Sequence, residues 1–283
     1  MPDLLGGRQE VPFRVIFARS MGAIGYYLAL PFLYGIALLP FPLLYRLSDL
    51  MRLLLFGVIG YRRKVILNNL RNSFPQKKEA EIQAIAHQFQ RWFCDLVLET
   101  LKTLTIPSAT VRKRVQFDGI GILRRYAEQK QSVVLVLGHF GNWELAGARY
   151  SAEPGIPQLY VIYHPLQNKW FDGLVHHMRT RHGTKLYTMR ETSKSMLRDR
   201  HLNTATAFIA DQTPAPERAH WLTFLNQDTP VFQGTEALSK KLAYPVVYIS
   251  ITQPKRGHYH MQVETLVAEP KNTAEGEITE IHS

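Results

Sequence analysis

Apolar and polar positions follow different rules in different parts of this chain. Residues 20–45 carry no charged side chain, and a run of that length can span a hydrocarbon core as one helix. Pro31, Pro40 and Pro42 interrupt it, and Gly22, Gly25 and Gly35 loosen it. No signal-peptide cleavage site follows, so the run reads as a retained anchor. It is either one kinked span or a helical hairpin dipping into one leaflet, with a hairpin buried in a soluble fold as the third option. A shorter apolar stretch covers residues 53–61 and ends in Arg62, Arg63 and Lys64. Basic residues just after such segments suit the cytoplasmic face and its anionic lipids.

Residues 79–104 switch to a helical period. Ile82, Ile85, Phe89, Trp92, Phe93, Leu96 and Leu98 recur on one stripe, and Pro107 ends the segment. The stripe is read as core packing. Val111 to Phe117 is short and basic, Gly119 and Gly121 mark a turn, and residues 123–130 read as a helix. From Ser132 onward short apolar runs alternate with amphipathic ones. Strands are predicted at 132–137, 158–163, 184–187, 204–210, 245–252 and 259–266, and helices at 143–150, 168–181, 192–200 and 234–242. A polar loop is expected after residue 210, and the tail from Ala268 is expected to be poorly ordered. Repeated βα units predict an α/β fold with a largely parallel mixed sheet flanked by helices. The chain divides into a membrane-anchor or interfacial segment (1–65), an α/β domain (66–267) and a polar tail (268–283).

The run 132–137 is Val- and Leu-rich, as a strand buried on both faces should be. Gly138 ends it and His139 follows at its carboxyl end, where open α/β sheets bind ligands. Asn142 is a candidate N-cap, which puts Glu144 in the first turn of the next helix. His139 on the loop and Glu144 near the positive helix end can converge. The carboxylate can then hold one imidazole nitrogen and leave the other to take a proton from a substrate hydroxyl. Residue spacing alone leaves a second reading open: His139 packs in the turn and Glu144 is an ordinary first-turn acid.

Composition narrows the classes. The 283 residues suit one α/β domain with an N-terminal addition, and a net charge of +11 favours an anionic partner: nucleic acid, anionic membrane or acidic protein. The single cysteine, Cys94, excludes an intrachain disulfide and a cysteine-rich metal site. His176, His177 and His182 have no Cys or acidic ligand at metal spacing, so no metal is expected. No Walker loop, His-Glu-x-x-His or Gly-x-Ser-x-Gly elbow occurs, which leaves a covalent serine mechanism without support.

His-Phe-Gly-Asn-Trp-Glu at 139–144, after its strand, resembles the His-x4-Glu motif of the bacterial lipid A biosynthesis acyltransferases. These belong to a wider glycerolipid acyltransferase superfamily that carries His-x4-Asp or His-x4-Glu. Residues 62–75, RRKVILNNLRNSFP, match the same family's basic cluster, Asn-Leu and Ser/Thr-Phe-Pro. Tyr163-His164-Pro165-Leu166-Gln167-Asn168 is similar to its Tyr-Arg-Pro-x-x-Asn block, with His164 where arginine is usual. Arg179, Arg181, Arg190 and Asp211 occupy matching positions, and Gly234 to Glu236 sit where the superfamily has a loop opening a helix. The resemblance runs from about residue 12 to residue 266. Family chains usually continue past this point into a further C-terminal helix.

The resemblance implies an O-acyltransferase of the cell inner membrane with its catalytic domain facing the cytoplasm. It implies transfer from acyl-acyl carrier protein to a hydroxyl of a lipid A precursor or related glycolipid, with no cofactor and no metal. His139 would be the general base and Glu144 its orienting carboxylate. Arg179, Arg181, Arg190, Asp211, His164, Asn168, Gly234 and Glu236 would contact substrate, through anion binding or the oxyanion; a solvated helix face, a turn-starting Asp and a first-turn Glu are the plainer readings of some of them. The expected partners are acyl carrier protein and an anionic membrane lipid, not nucleic acid. A lysophospholipid, glycerol-phosphate or other polar-lipid acyltransferase is the nearer alternative. A non-catalytic membrane- or nucleic-acid-binding protein is the more distant one, and the buried strand running into His-x4-Glu argues against it.

Overall fold

The computed structural model describes residues 13–282 apart from 213, 215, 216 and 218, so the polar N-terminal segment 1–12 lies outside the described residues. In chain order the first half holds α1 (Phe13–Leu38), α2 (Phe41–Arg52), a π-helical turn (Leu53–Val58), α3 (Arg63–Ser73), α4 (Glu79–Lys102), α5 (Ser108–Arg114), β1 (Val115–Asp118), α6 (Ile120–Glu128) and β2 (Val133–Leu137). The second half holds α7 (Trp143–Ser151), β3 (Gln158–Tyr163), α8 (Lys169–Thr180), β4 (Lys185–Thr188), α9 (Thr192–Arg198), β5 (Thr204–Ile209), β6 (His220–Phe224), β7 (Gln227–Val231), α10 (Gly234–Leu242), β8 (Val246–Lys255), β9 (His258–Val267), a 3-10 turn (Pro270–Asn272) and α11 (Glu277–His282).

A seven-stranded sheet runs in the order β1-β9-β8-β2-β5-β3-β4, with the β8–β9 pair antiparallel and every other neighbour parallel. This is the mixed, largely parallel sheet that the βα alternation predicts. Strand β2 is central. Its residues Val133, Val134, Leu135 and Val136 are all buried, because helices cover both faces. One core lies between the sheet and α5, α6 and α7, built on Leu123, Leu135, Leu145, Tyr150, Tyr259 and Met261. The other face packs Val134, Val136, Tyr160, Tyr187, Tyr244 and Ile278.

Three segments depart from the sequence reading. The basic stretch before Gly119 contains an edge strand: Val115 and Phe117 point inward while Gln116 and Asp118 point out, and the strand lies parallel to β9. Four residues with two inward apolar positions are too short for a periodic signal. The polar loop after residue 210 contains the antiparallel β6–β7 hairpin. Its half-exposed faces give no clean alternation.

The tail from Ala268 is docked rather than loose. Buried Glu236 accepts hydrogen bonds from Gly276 N (2.7 Å), Thr279 N (3.0 Å), Thr279 Oγ1 (2.6 Å) and Lys240 Nζ (2.7 Å). Ile278 packs beside it into the core on the second face of the sheet. A polar tail read by composition hides this arrangement, because one buried carboxylate on α10 supplies its anchoring.

The N-terminal hairpin is held by α4. Lys102, at the end of α4, donates to Ala37 O (2.7 Å) in the last turn of α1 and to Leu39 O (2.6 Å) just past it, a cation placed at a helix carboxyl end. Burial pushes its pKa down. Among the described residues no helix is long and apolar enough to cross a membrane. The outer face of the N-terminal elements nonetheless leaves Leu28, Phe32, Val58 and Ile59 between 67% and 74% exposed.

Glu236 supplies a test of how the tail is held. Burial alone would raise its pKa; the hydrogen bonds from Lys240, Thr279 and Gly276 outweigh it and hold the value at about 2. A depressed carboxylate contributes stability above its unfolded pKa and loses it as pH falls through the folded value. The stability difference between wild type and Glu236→Gln should therefore be constant above about pH 4.3 and shrink towards about pH 2. Chemical denaturation across that range, with hydrogen exchange at residues 276–282, measures it. A difference independent of pH would remove Glu236 as the ionised anchor.

Candidate active site

Parallel pairing brings the carboxyl ends of β2 and β5 together, with Leu137 opposite Ile209. His139 and Asp211 each lie two residues beyond those partners, so the register itself delivers one to the other. The ladder continues for one bond, Ala210 N to Leu137 O at 3.2 Å. Asp211 then turns its carboxylate onto His139. Oδ2 accepts the His139 backbone N–H at 2.6 Å, and Oδ1 lies 2.6 Å from the ring Nδ1. An ionised carboxylate only accepts, so Nδ1 carries the proton and Nε2 presents a lone pair in the neutral ring. Burial works against the Asp211 charge, but the hydrogen bonds from the His139 ring and backbone win and hold its pKa below the ordinary aspartate value. Gly138 makes this approach possible, since a Cβ there would come within 3.2 Å of Asp211 Oδ2.

Glu144 does not orient His139. Asn142 caps α7 as its sequence position predicts, accepting from Leu145 N at 3.0 Å, and Glu144 stands in the first turn. Its carboxylate is taken by Arg179 of α8, with Nη2–Oε1 at 2.6 Å and Nε at 3.1 and 3.2 Å from the two oxygens. The physical reason is charge. A guanidinium in a largely buried position needs an anion, and the fork fits a carboxylate in two places at once. Burial disfavours the Arg179 charge, while Glu144 more than compensates and raises its pKa. The imidazole gets its partner from across the sheet, from Asp211.

Between these groups opens a cavity of about 680 Å³, within the range of small-molecule sites. Buried Leu135, Leu159 and Met261 line its inner part. His139, Glu144, Arg179, His164, Arg190 and Gly234 line it as well. Trp143 sets its ring edge-on against His139 with centroids 4.6 Å apart, which restricts rotation of the imidazole. The site thus combines an apolar recess with an imidazole and two guanidinium groups.

Three of the sequence candidates have other duties. Arg181 turns away and donates to Thr103 O (2.8 Å) and Ile106 O (2.7 Å), closing the carboxyl end of α4. Asn168 is the N-cap of α8, accepting from Trp170 N and Phe171 N. Glu236 anchors the tail, as described above. His164 lines the cavity with its Nδ1 3.0 Å from the Pro165 carbonyl.

The turn carrying His139 is clamped from a side that periodicity assigned to packing alone. Trp92 Nε1 donates to Gly141 O at 2.9 Å. Glu99, fully buried on α4, accepts from Asn142 Nδ2 (2.7 Å), Tyr45 OH (2.7 Å) and Tyr259 OH (2.6 Å). Burial raises the Glu99 pKa against the pull of these three donors. Gly141 has φ +64° and presses on Ile251, where a Cβ would sit 2.5 Å from Cγ2; only glycine suits both demands. A buried acid in an otherwise apolar stripe, at Asp95 or Glu99, was the available sequence signal.

The sequence model of the family described as "Bacterial lipid A biosynthesis acyltransferase" matches residues 15–281. A lipid A biosynthesis lauroyltransferase of Escherichia coli (strain K12) is 27% identical over 150 residues, 52% of this chain and 47% of that protein. The chain therefore spans about half the length of that curated relative. The family match extends over nearly the whole sequence, and the chain belongs to the bacterial lipid A biosynthesis acyltransferase family.

Removing the clamp should be costly. Glu99→Ala leaves three buried donors without their acceptor, a loss of about 3 kcal/mol or more. Gly141→Ala adds strain at positive φ and a clash with Ile251, costing about 1–3 kcal/mol. Urea denaturation of the purified variants gives both values, and a loss under about 0.5 kcal/mol for either would mean that the turn relaxes without its clamp.

Proposed function

We propose that this member of the lipid A biosynthesis acyltransferase family transfers a fatty acyl group from acyl-acyl carrier protein to a hydroxyl of a lipid A precursor or related glycolipid. The observation that carries the reading is the Asp211–His139 pair at the edge of an apolar cavity. The pair supplies a base for a hydroxyl, and the apolar recess beside it has room for an acyl chain. Family membership supports the acceptor class.

The mechanism follows from the charges. Asp211 holds the Nδ1 proton, so Nε2 receives the proton of the acceptor hydroxyl as its oxygen attacks the thioester carbonyl. The developing imidazolium lies against the Asp211 carboxylate and is stabilised by it. The carbonyl electron pair moves onto oxygen, and the N–H groups of Arg179 and Arg190 that are free to reach it stabilise that oxyanion. Collapse re-forms the carbonyl, breaks the carbon–sulfur bond and releases the carrier's thiol, which takes its proton from His139. Glu144 is a positioning residue that holds Arg179 at the cavity wall. Within this mechanism no metal and no acyl-enzyme are required.

The exposed apolar face of α1, α2 and the π-helical turn supports attachment to one leaflet of the inner membrane from the cytoplasmic side. Leu28, Phe32, Val58 and Ile59 would enter the acyl boundary, and Arg62, Arg63 and Lys64 would meet anionic headgroups. This is the interfacial hairpin rather than a crossing helix. An acidic carrier protein and a phosphorylated acceptor both suit the net charge of +11.

The test is transfer from labelled acyl-acyl carrier protein in detergent to a panel of phosphorylated glucosamine lipids, lysophospholipids and glycerol phosphate. Wild type should acylate the glucosamine lipid. His139→Ala should lose about 10²–10⁴-fold, and Asp211→Asn about 10²-fold with an altered pH profile. Glu144→Gln should lower kcat about tenfold while keeping the wild-type pH profile. Preference for a lysophospholipid would move the acceptor class. Full activity in Asp211→Asn, with none in Glu144→Gln, would overturn the assignment of the orienting carboxylate. In a parallel measurement, Leu28→Glu with Phe32→Glu should lower binding to neutral phosphatidylcholine vesicles about tenfold or more; unchanged binding would put the membrane face elsewhere.

A further inference from the structure

A second recess of about 530 Å³ lies between α2, α4 and the β8–β9 turn, and none of its lining residues belongs to the catalytic cavity. Arg52, His87, Arg91 and Arg256 contribute to its wall, with Trp92 and Asp95. The three guanidinium groups are not equivalent. Arg256 is neutralised, since it is bonded to Asp95 at 2.7 and 2.8 Å and to Asp49 at 2.9 and 3.0 Å. Arg52 and Arg91 make no hydrogen bond or ion pair among the described residues, and the Arg52 Nε is buried without a partner. Both carboxylates thus give their hydrogen bonds to one arginine, while Arg52 and the exposed Arg91 feel Asp49 only through its charge.

A buried guanidinium N–H with no acceptor is a costly feature in a finished fold. It becomes favourable when an anion enters. Two free forks facing one recess suit a phosphate group, whose oxygens can accept from both. The surroundings say what carries that phosphate. Arg52 is the last residue of α2, and the residues beside it, Leu50, Leu53 and Leu54, are 49–57% exposed apolar side chains, with Phe89 exposed on the α4 side. A cationic recess bordered by an uncovered apolar face fits an amphiphile with a phosphorylated head. A soluble phosphate compound would have no use for the apolar border, and an acidic protein surface would meet a recess instead of a complementary face.

We propose that Arg52 and Arg91 form a headgroup site for an anionic membrane phospholipid, separate from the site where acyl transfer takes place. The lipid's phosphate sits between the two guanidiniums, and its chains run along Leu50, Leu53 and Leu54. The site has a direct route to the catalytic turn. Trp92 lines the recess and donates to Gly141 O, two residues after His139. A lipid seated there packs on the residue that holds the turn in place. The site rests on the membrane-facing reading of the N-terminal elements but not on the chemistry of transfer.

The experiment uses the full chain and sedimentation with vesicles of pure phosphatidylcholine or of phosphatidylcholine containing phosphatidylglycerol. The pocket variant is Arg52→Gln with Arg91→Gln; the control is Arg125→Gln with Arg200→Gln, which removes the same charge from exposed positions outside the recess. Circular dichroism establishes that each is folded. The expected result is that phosphatidylglycerol strengthens wild-type binding and that the pocket variant loses about tenfold or more of that gain. Binding to pure phosphatidylcholine should stay unchanged, and the control should keep most of the gain. Equal loss in both double variants would mean a diffuse field of positive charge and would overturn the site. So would an unchanged pocket variant. A pocket variant with wild-type phosphatidylglycerol binding but a raised KM for the glycolipid acceptor in detergent would assign the arginines to the acceptor's phosphate and overturn the separate site. Failure of wild type to bind pure phosphatidylcholine would count against the membrane face instead.

Discussion

One buried carboxylate joins the parts of this molecule that have to move as one. Glu99 accepts from Tyr45 in the N-terminal hairpin, from Tyr259 in the sheet and from Asn142 in the turn that carries His139. An acid taken out of water needs such donors, and each donor in turn needs the acid. The consequence is a mutual constraint. The hairpin cannot shift without exposing Tyr45, and the turn cannot shift without uncapping α7. Asp95, one helical turn earlier, repeats the device by taking Ser48 and Arg256. Helix α4 is therefore the joint between the apolar N-terminal face and the α/β domain, and polar groups, not the apolar stripe, make it specific.

That division explains what could be read from the chain. The βα alternation gave the class of fold, since buried strands and capped helices carry strong local patterns, and the candidate His139 beyond the carboxyl end of β2 does line a cavity. Asn142 as an N-cap was legible because capping is a matter of residue type and immediate neighbours. Edge strand β1 and the β6–β7 hairpin were not, because short, half-exposed strands carry little periodicity. The docked tail was also hidden. Its anchor, Glu236, lies about forty residues away in sequence, and nothing local announces a buried acid with four donors.

The candidate site shows the same limit more sharply. His139, Glu144, Asp211, Arg179 and Arg190 were each identifiable as chemistry-bearing residues, but their pairing was not. Sequence proximity suggests His139 with Glu144, five positions apart. Strand order decides otherwise. Once β5 lies beside β2 in register, His139 and Asp211 are neighbours just beyond adjacent strand ends. A loop-to-helix contact between His139 and Glu144 would have had to compete with that. Arg181, by contrast, shares its helix end with Arg179 but faces the end of α4, where unpaired carbonyls attract it.

The spacing between His139 and Glu144 still has a physical role, although a different one. It places a carboxylate in the first turn of α7, on the cavity wall, where it fixes Arg179 and leaves His139 to Asp211. Two carboxylates on the same imidazole would raise each other's pKa and leave Arg179 unpaired. Dividing them leaves Asp211 hydrogen-bonded behind the imidazole and Glu144 paired with the guanidinium. The cavity then presents an imidazole and a fixed positive charge at separate points of an apolar wall.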